Sequence, residues 1–195
     1  MAAPNSAAAI TAQLTAMAGG LPPLDIKCST APAGNTEKMD DCEKEQICQK
    51  CADVNDQASK GKLKRGASAD DRDAGNNAAK TFKRRQGMRL RGKGPRGKKL
   101  TRKVSPSGLK KFTSDCAFDN WKEGRPPPRP GPNPKADPKM PGLSADHIHE
   151  IQLGGSATSS RNLRMMSSKA NEWVGRTLQD YDPAKHQGVK PDCCK

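Results

Sequence analysis

With 195 residues, 35 Lys and Arg against 21 Asp and Glu, 3% aromatic side chains, 16 prolines and 18 glycines, the chain holds too little apolar material to be one well-packed domain throughout. The formal charge of +14 calls for a polyanionic partner, nucleic acid or acidic lipid. No stretch approaches the roughly 20 apolar residues of a membrane-spanning helix, and the alanine-rich start lacks the basic n-region of a secretory signal, so neither membrane insertion nor simple Sec export is expected.

Residues 6 to 18 are good helix formers, stopped by Gly19-Gly20 and Pro22-Pro23. A second helix is predicted from Thr36 to Gln57, capped by Asn35 or Thr36, with Met39, Cys42, Ile47, Cys51 and Val54 at helical spacing. From Lys60 to Lys103 apolar periodicity fades and glycines recur, which reads as an extended or disordered arm. A helix over Ser107 to Lys122 would turn Leu109, Phe112 and Cys116 inward, with Trp121 beside them, ahead of a stiff proline connector from Pro126 to Pro138.

The last third changes character. Leu143 to Leu153 reads as a strand, Gly154-Gly155 and the serines after it as a loop, and Asn162 to Met165 as a second strand. Ser167 or Ser168 can cap a helix whose Ala170, Trp173, Val174, Leu178 and Tyr181 form one apolar face. The organisation is thus a cysteine-containing helical region (1–59), a basic linker or arm (60–104) and a compact unit (105–195).

Charge is unevenly spread: the three stretches 1–59, 60–103 and 104–195 carry −4, +14 and +4. The central one, with Lys83, Arg84 and Arg85, is a phosphate-binding arm or a solvated linker. Seven cysteines cannot all pair within one chain. Cys48-x-x-Cys51 with Cys42 upstream allows structural zinc, completed by Cys116 or Cys193-Cys194; disulfides or isolated thiols are the alternatives.

The segment Asp146-His147-Ile148-His149-Glu150-Ile151-Gln152-Leu153-Gly154-Gly155, followed by Asn162-Leu163 and Asn171, resembles the HNH (ββα-metal) endonucleases. The likeness covers Pro141 to Tyr181 and looks closest to versions at the C-termini of bacterial polymorphic toxins. It implies an α+β fold: a small ββα-metal nuclease core at the C-terminus, with flanking helices and a long, largely irregular basic and proline-rich region.

The resemblance assigns His147 as general base, His149 as an auxiliary that reaches metal or phosphate, or else packs, and Asp146 and Asn171 as metal ligands. Asn162 orients the loop holding the base, and Glu150 supports a histidine or turns outward. A neutral imidazole, with an ordinary pKa of about 6.5, accepts a proton near neutrality, and oxygen ligands favour Mg²⁺ or Mn²⁺ over zinc. In a regular strand Asp146 and His147 point to opposite faces, so one site can use both only at a strand end or bulge. Lys83, Arg84, Arg85, Arg164 and Lys169 are the expected DNA contacts.

The expectation is a nonspecific, metal-dependent DNA endonuclease, with RNA as an alternative substrate, acting as the toxin of a bacterial antagonism effector. It would reach the target-cell cytoplasm through dedicated delivery machinery and be blocked by an acidic immunity protein. Two alternatives stand beside it: a phage or restriction-type HNH nuclease, and a basic nucleic-acid-binding protein without catalysis.

Overall fold

The computed structural model describes residues 20–28, 39–90, 112–113, 116–117 and 143–194. The predicted helix over 6–18, most of that over 107–122, the proline connector and the basic tract 91–103 fall outside these residues. Among the described residues the architecture is α+β, with two small sheets and three α-helices.

Helix α1 (Asp41–Ser59) starts later than the sequence suggests because Asp40 and Glu43 form a reciprocal capping box. The Asp40 carboxylate accepts from the Glu43 amide at 2.7 Å, and the Glu43 carboxylate accepts from the Asp40 amide at 3.0 Å. Such a cap contributes about 1 kcal/mol. Ile47, Cys51 and Val54 enter the larger core, as their spacing predicts.

Helix α2 (Ala69–Leu90) lies where an extended arm is expected from the sequence. Its start is fixed by Ser68, whose hydroxyl accepts from the Asp71 amide while the Asp71 carboxylate accepts from the Ser68 amide. Its inward stripe is Gly75, Ala78, Ala79 and Phe82, small residues that carry little hydrophobic signal yet allow close packing.

Strands β2 (Leu143–His147) and β3 (Leu163–Ser167) pair antiparallel in regular register, with Asp146 opposite Arg164 and His147 opposite Leu163. Ser167 caps α3 (Ser168–Thr177), which follows β3 directly. One face of the pair meets Phe82 and Phe112 through Leu143, Leu163 and Met165. From the other, Met166 joins the larger core with Ile47, Ala170, Trp173 and Val174. Burying each large apolar side chain contributes about 1.5–3 kcal/mol.

The short strands β1 (Leu24–Ile26) and β4 (Val189–Pro191) pair in parallel. Asn55 of α1 completes this edge, donating to the Val189 carbonyl at 3.0 Å and accepting from its amide at 2.8 Å. Among the described residues no helix is long and apolar enough to cross a membrane.

Candidate active site

Strand β2 ends at His147, not at Leu153, because the chain turns sharply behind it. Gly154 sits at φ 95°, a left-handed conformation that favours glycine. A Cβ on Gly155 would lie 1.9 Å from the His149 carbonyl oxygen, so no larger residue fits unless the backbone moves. Asn162 ties the turn together. Its Oδ1 accepts from the His149 amide at 2.8 Å, while its Nδ2 donates to the carbonyls of His149 at 2.8 Å and Ser156 at 2.9 Å.

His147 projects from the β2 face that α2 covers, with its Cε1 3.6 Å from where a Cβ on Gly75 would stand. Its Nε2 lies 3.4 Å from the Ala157 carbonyl. A carbonyl only accepts, so Nε2 carries the hydrogen and Nδ1 holds the basic lone pair. Burial lowers the His147 pKa below its ordinary 6.5, against the opposing pull of the Ala157 carbonyl and the nearby carboxylates. His149 is turned back on its own loop, donating from Nε2 to the Leu153 carbonyl at 3.0 Å.

His147 opens into a cleft of about 560 Å³ lined by Arg65, Arg72, Glu150, Gln152 and Tyr181. Arg65 and Arg72 are exposed and bring positive charge to its rim. Tyr181, whose phenol donates to the His186 carbonyl, is pushed up to about 12 by burial and by Asp182, so it stays protonated.

Asp146 points to the opposite face, 1% exposed, and both its oxygens are taken by cations. Oδ1 accepts from Lys50 Nζ at 2.8 Å and Oδ2 from Arg164 Nε at 3.1 Å. Arg164 also pairs with Asp53, and Lys50 with Glu150 Oε1 at 2.9 Å. Asn171 is anchored on that same face, donating to Ser144 Oγ at 2.9 Å. The structure therefore does not bring Asp146 and Asn171, the expected Mg²⁺ ligands, to the side of the sheet that His147 faces. The regular β2–β3 register, with no bulge, puts Asp146 and His147 on opposite faces, and Lys50 and Arg164 already neutralise Asp146.

Two of the expected DNA contacts lie inside the fold. Arg164 is buried in the ion pairs just described, and Lys169 is buried against Glu43, at 3.0 Å from Oε2. Neither offers its charge to a phosphate. On α2, Arg84 and Arg85 are exposed and Lys83 is half-buried.

No family model, curated protein or solved structure matches this chain.

Six cysteines form disulfides, Cys28–Cys193, Cys42–Cys116 and Cys48–Cys194, leaving Cys51 as a buried thiol. The sulfurs of Cys48, Cys193 and Cys194 lie within 4.8 Å of one another. In disulfide form they present no thiolate to zinc.

The residues that sequence reasoning missed are Lys50, Arg65 and Arg72. Lys50 does leave a trace: Glu43, Gln46, Lys50 and Asp53 recur three or four residues apart, a polar stripe beside the apolar one. In the fold this stripe docks on the β2–β3–α3 unit, where Gln46 accepts from the Ser167 amide at 2.7 Å and Glu43 from the Ser167 hydroxyl at 3.1 Å.

Proposed function

We propose that the chain is an endonuclease of the HNH type that hydrolyses DNA, with RNA as an alternative substrate, and that it serves as the toxin region of a bacterial antagonism effector. The observation that carries this reading is the Asn162 clamp, which fixes the turn behind Asp146-His147-Ile148 in an antiparallel strand pair leading directly into a helix. Both His147 and the arginines of the cleft face one concavity, which suits attack on a phosphodiester.

His147 Nδ1 takes a proton from water as the water oxygen bonds to phosphorus. The bond to the 3′ oxygen breaks and that oxygen takes a proton from solvent, giving 5′-phosphate and 3′-hydroxyl ends. A positioned general base contributes about 10²–10⁴-fold to such a step. Arg65 and Arg72 neutralise charge building on the phosphate, while both Asp146 oxygens face Lys50 and Arg164. Arg84 and Arg85, with the basic tract after them, add affinity through counterion release, so binding weakens with salt.

Three disulfides support a stage outside a reducing cytosol, consistent with delivery by dedicated machinery into a target cell. An acidic immunity protein seated on the cleft would protect the producer.

The test is plasmid cleavage by the purified protein and by His147→Ala, each with Mg²⁺ and with EDTA. Nicking by the parent protein that needs Mg²⁺, stops in EDTA and disappears in His147→Ala is the expected result. A plasmid that shifts in the gel but stays intact under every condition would instead favour a nucleic-acid-binding protein without catalysis.

A further inference from the structure

Lys50 Nζ is surrounded by three oxygens: Asp146 Oδ1 at 2.8 Å, Glu150 Oε1 at 2.9 Å and the His147 carbonyl. An ammonium has three N–H groups; here it donates to Asp146 and to the His147 carbonyl, and the Glu150 carboxylate stands within ion-pair range. Two carboxylate oxygens and a backbone carbonyl are also what a hard divalent ion selects. The distances of 2.8 and 2.9 Å suit an ammonium and exceed both Mg–O, about 2.1 Å, and Ca–O, about 2.3–2.6 Å, so calcium needs the smaller contraction.

Charge points the same way. The carboxylates of Asp53, Asp146 and Glu150 meet the cations of Lys50 and Arg164, leaving one excess negative charge. Without the ammonium the excess is two, in a region where Lys50 and Asp146 are both buried. Uncompensated buried charge is costly, and a divalent ion would cancel it.

We propose that the Lys50 ammonium fills a built cation seat formed by Asp146, Glu150 and the His147 carbonyl, and that truncating Lys50 converts this seat into a calcium site. Lys50 thereby acts as a positioning residue. One fixed cation, carried on α1, joins the end of β2 to the turn bearing Glu150. The strands are held without any ion from solution.

The experiment compares calcium binding by the full chain, Lys50→Ala and the double variant Lys50→Ala/Asp146→Asn, using calorimetric titration and thermal unfolding without nucleic acid. Lys50→Ala is expected to bind one calcium about tenfold or more tighter than the parent chain and to melt higher with calcium than in EDTA, both effects vanishing in the double variant. Equal binding by the parent and Lys50→Ala, or by Lys50→Ala and the double variant, overturns the proposal. If Lys50→Ala is unfolded in EDTA, recovery of its near-ultraviolet circular dichroism on adding calcium supports the seat, and failure to recover overturns it. The parent chain gives an independent check: its melting temperature is expected to be the same in EDTA and in about 1 mM calcium, the range of weak sites. A calcium-dependent rise that Asp146→Asn abolishes would mean the ion displaces Lys50, which is fatal to the idea. Because no cleavage is read, a negative result leaves the nuclease proposal standing.

Discussion

Lys50 and Asp146 stand 96 residues apart in sequence and 2.8 Å apart in space, each 1% exposed. Burial disfavours the Lys50 ammonium, but the Asp146 and Glu150 carboxylates outweigh it and raise its pKa above the ordinary value. The Lys50 ammonium therefore stays charged across the neutral range, and it ties α1 to the end of β2.

Removing one partner leaves the other buried and unpaired. Asp146→Ala is expected to cost about 3–5 kcal/mol in urea unfolding, whereas Asp146→Leu combined with Lys50→Met should be milder than either single change. A loss below about 1 kcal/mol for Asp146→Ala would show that the pair is not structural in solution.

The Asn162 amide makes three hydrogen bonds to the turn between His149 and Ser156. At about 1 kcal/mol each, Asn162→Ala should cost roughly 2–3 kcal/mol and free this turn before the rest of the fold. Hydrogen exchange checks it: the His149 and Gly155 amides should exchange faster while those of α3 keep their protection. Uniform acceleration across both would contradict a local clamp.

Since burial holds His147 below 6.5, the base stays neutral to mildly acid pH. Cleavage, measured as kcat/KM, should be flat near neutrality and fall only once the pH drops below that lowered value. Stability follows the same sign. The unfolded imidazole binds a proton more readily than the folded one, so the His147 contribution is fully present above 6.5 and is lost as pH falls through the folded value. An acid limb centred above 7 would be incompatible with His147 as the base.

Disulfides close loops spanning 165, 74 and 146 residues. Reduction should destabilise the fold by about 2–4 kcal/mol for each bond broken, read as a lower melting temperature in phosphine. Cys51 should resist alkylation in the native protein and react only in denaturant, because burial pushes its thiol pKa up. Alkylation of more than one cysteine under denaturing, non-reducing conditions would refute the pairing.

The strand, strand and helix of the last third were legible because their signals are local. Ser167 caps α3, the apolar residues recur at helical spacing, and Leu163 to Ser167 begins one residue after the predicted start. The predicted end of β2 was wrong because its cause is a close approach: Gly155 against the His149 carbonyl, with Asn162 holding both sides. Helix α2 was missed because glycine and alanine carry little hydrophobic signal, although Gly75 is where the helix meets Ile151 and His147.

By itself, the sequence determined the α+β class, the last helix, the odd thiol count and the grouping of chemically able residues around Asp146 to Asn171, since each depends on neighbours a few positions away. Only the tertiary structure decided which charges meet. It turned Asp146 and His147 to opposite faces, drew Arg164 and Lys169 inside, paired six cysteines and brought Lys50 to Asp146. Those outcomes depend on burial, where a charge must find its partner wherever the chain supplies one.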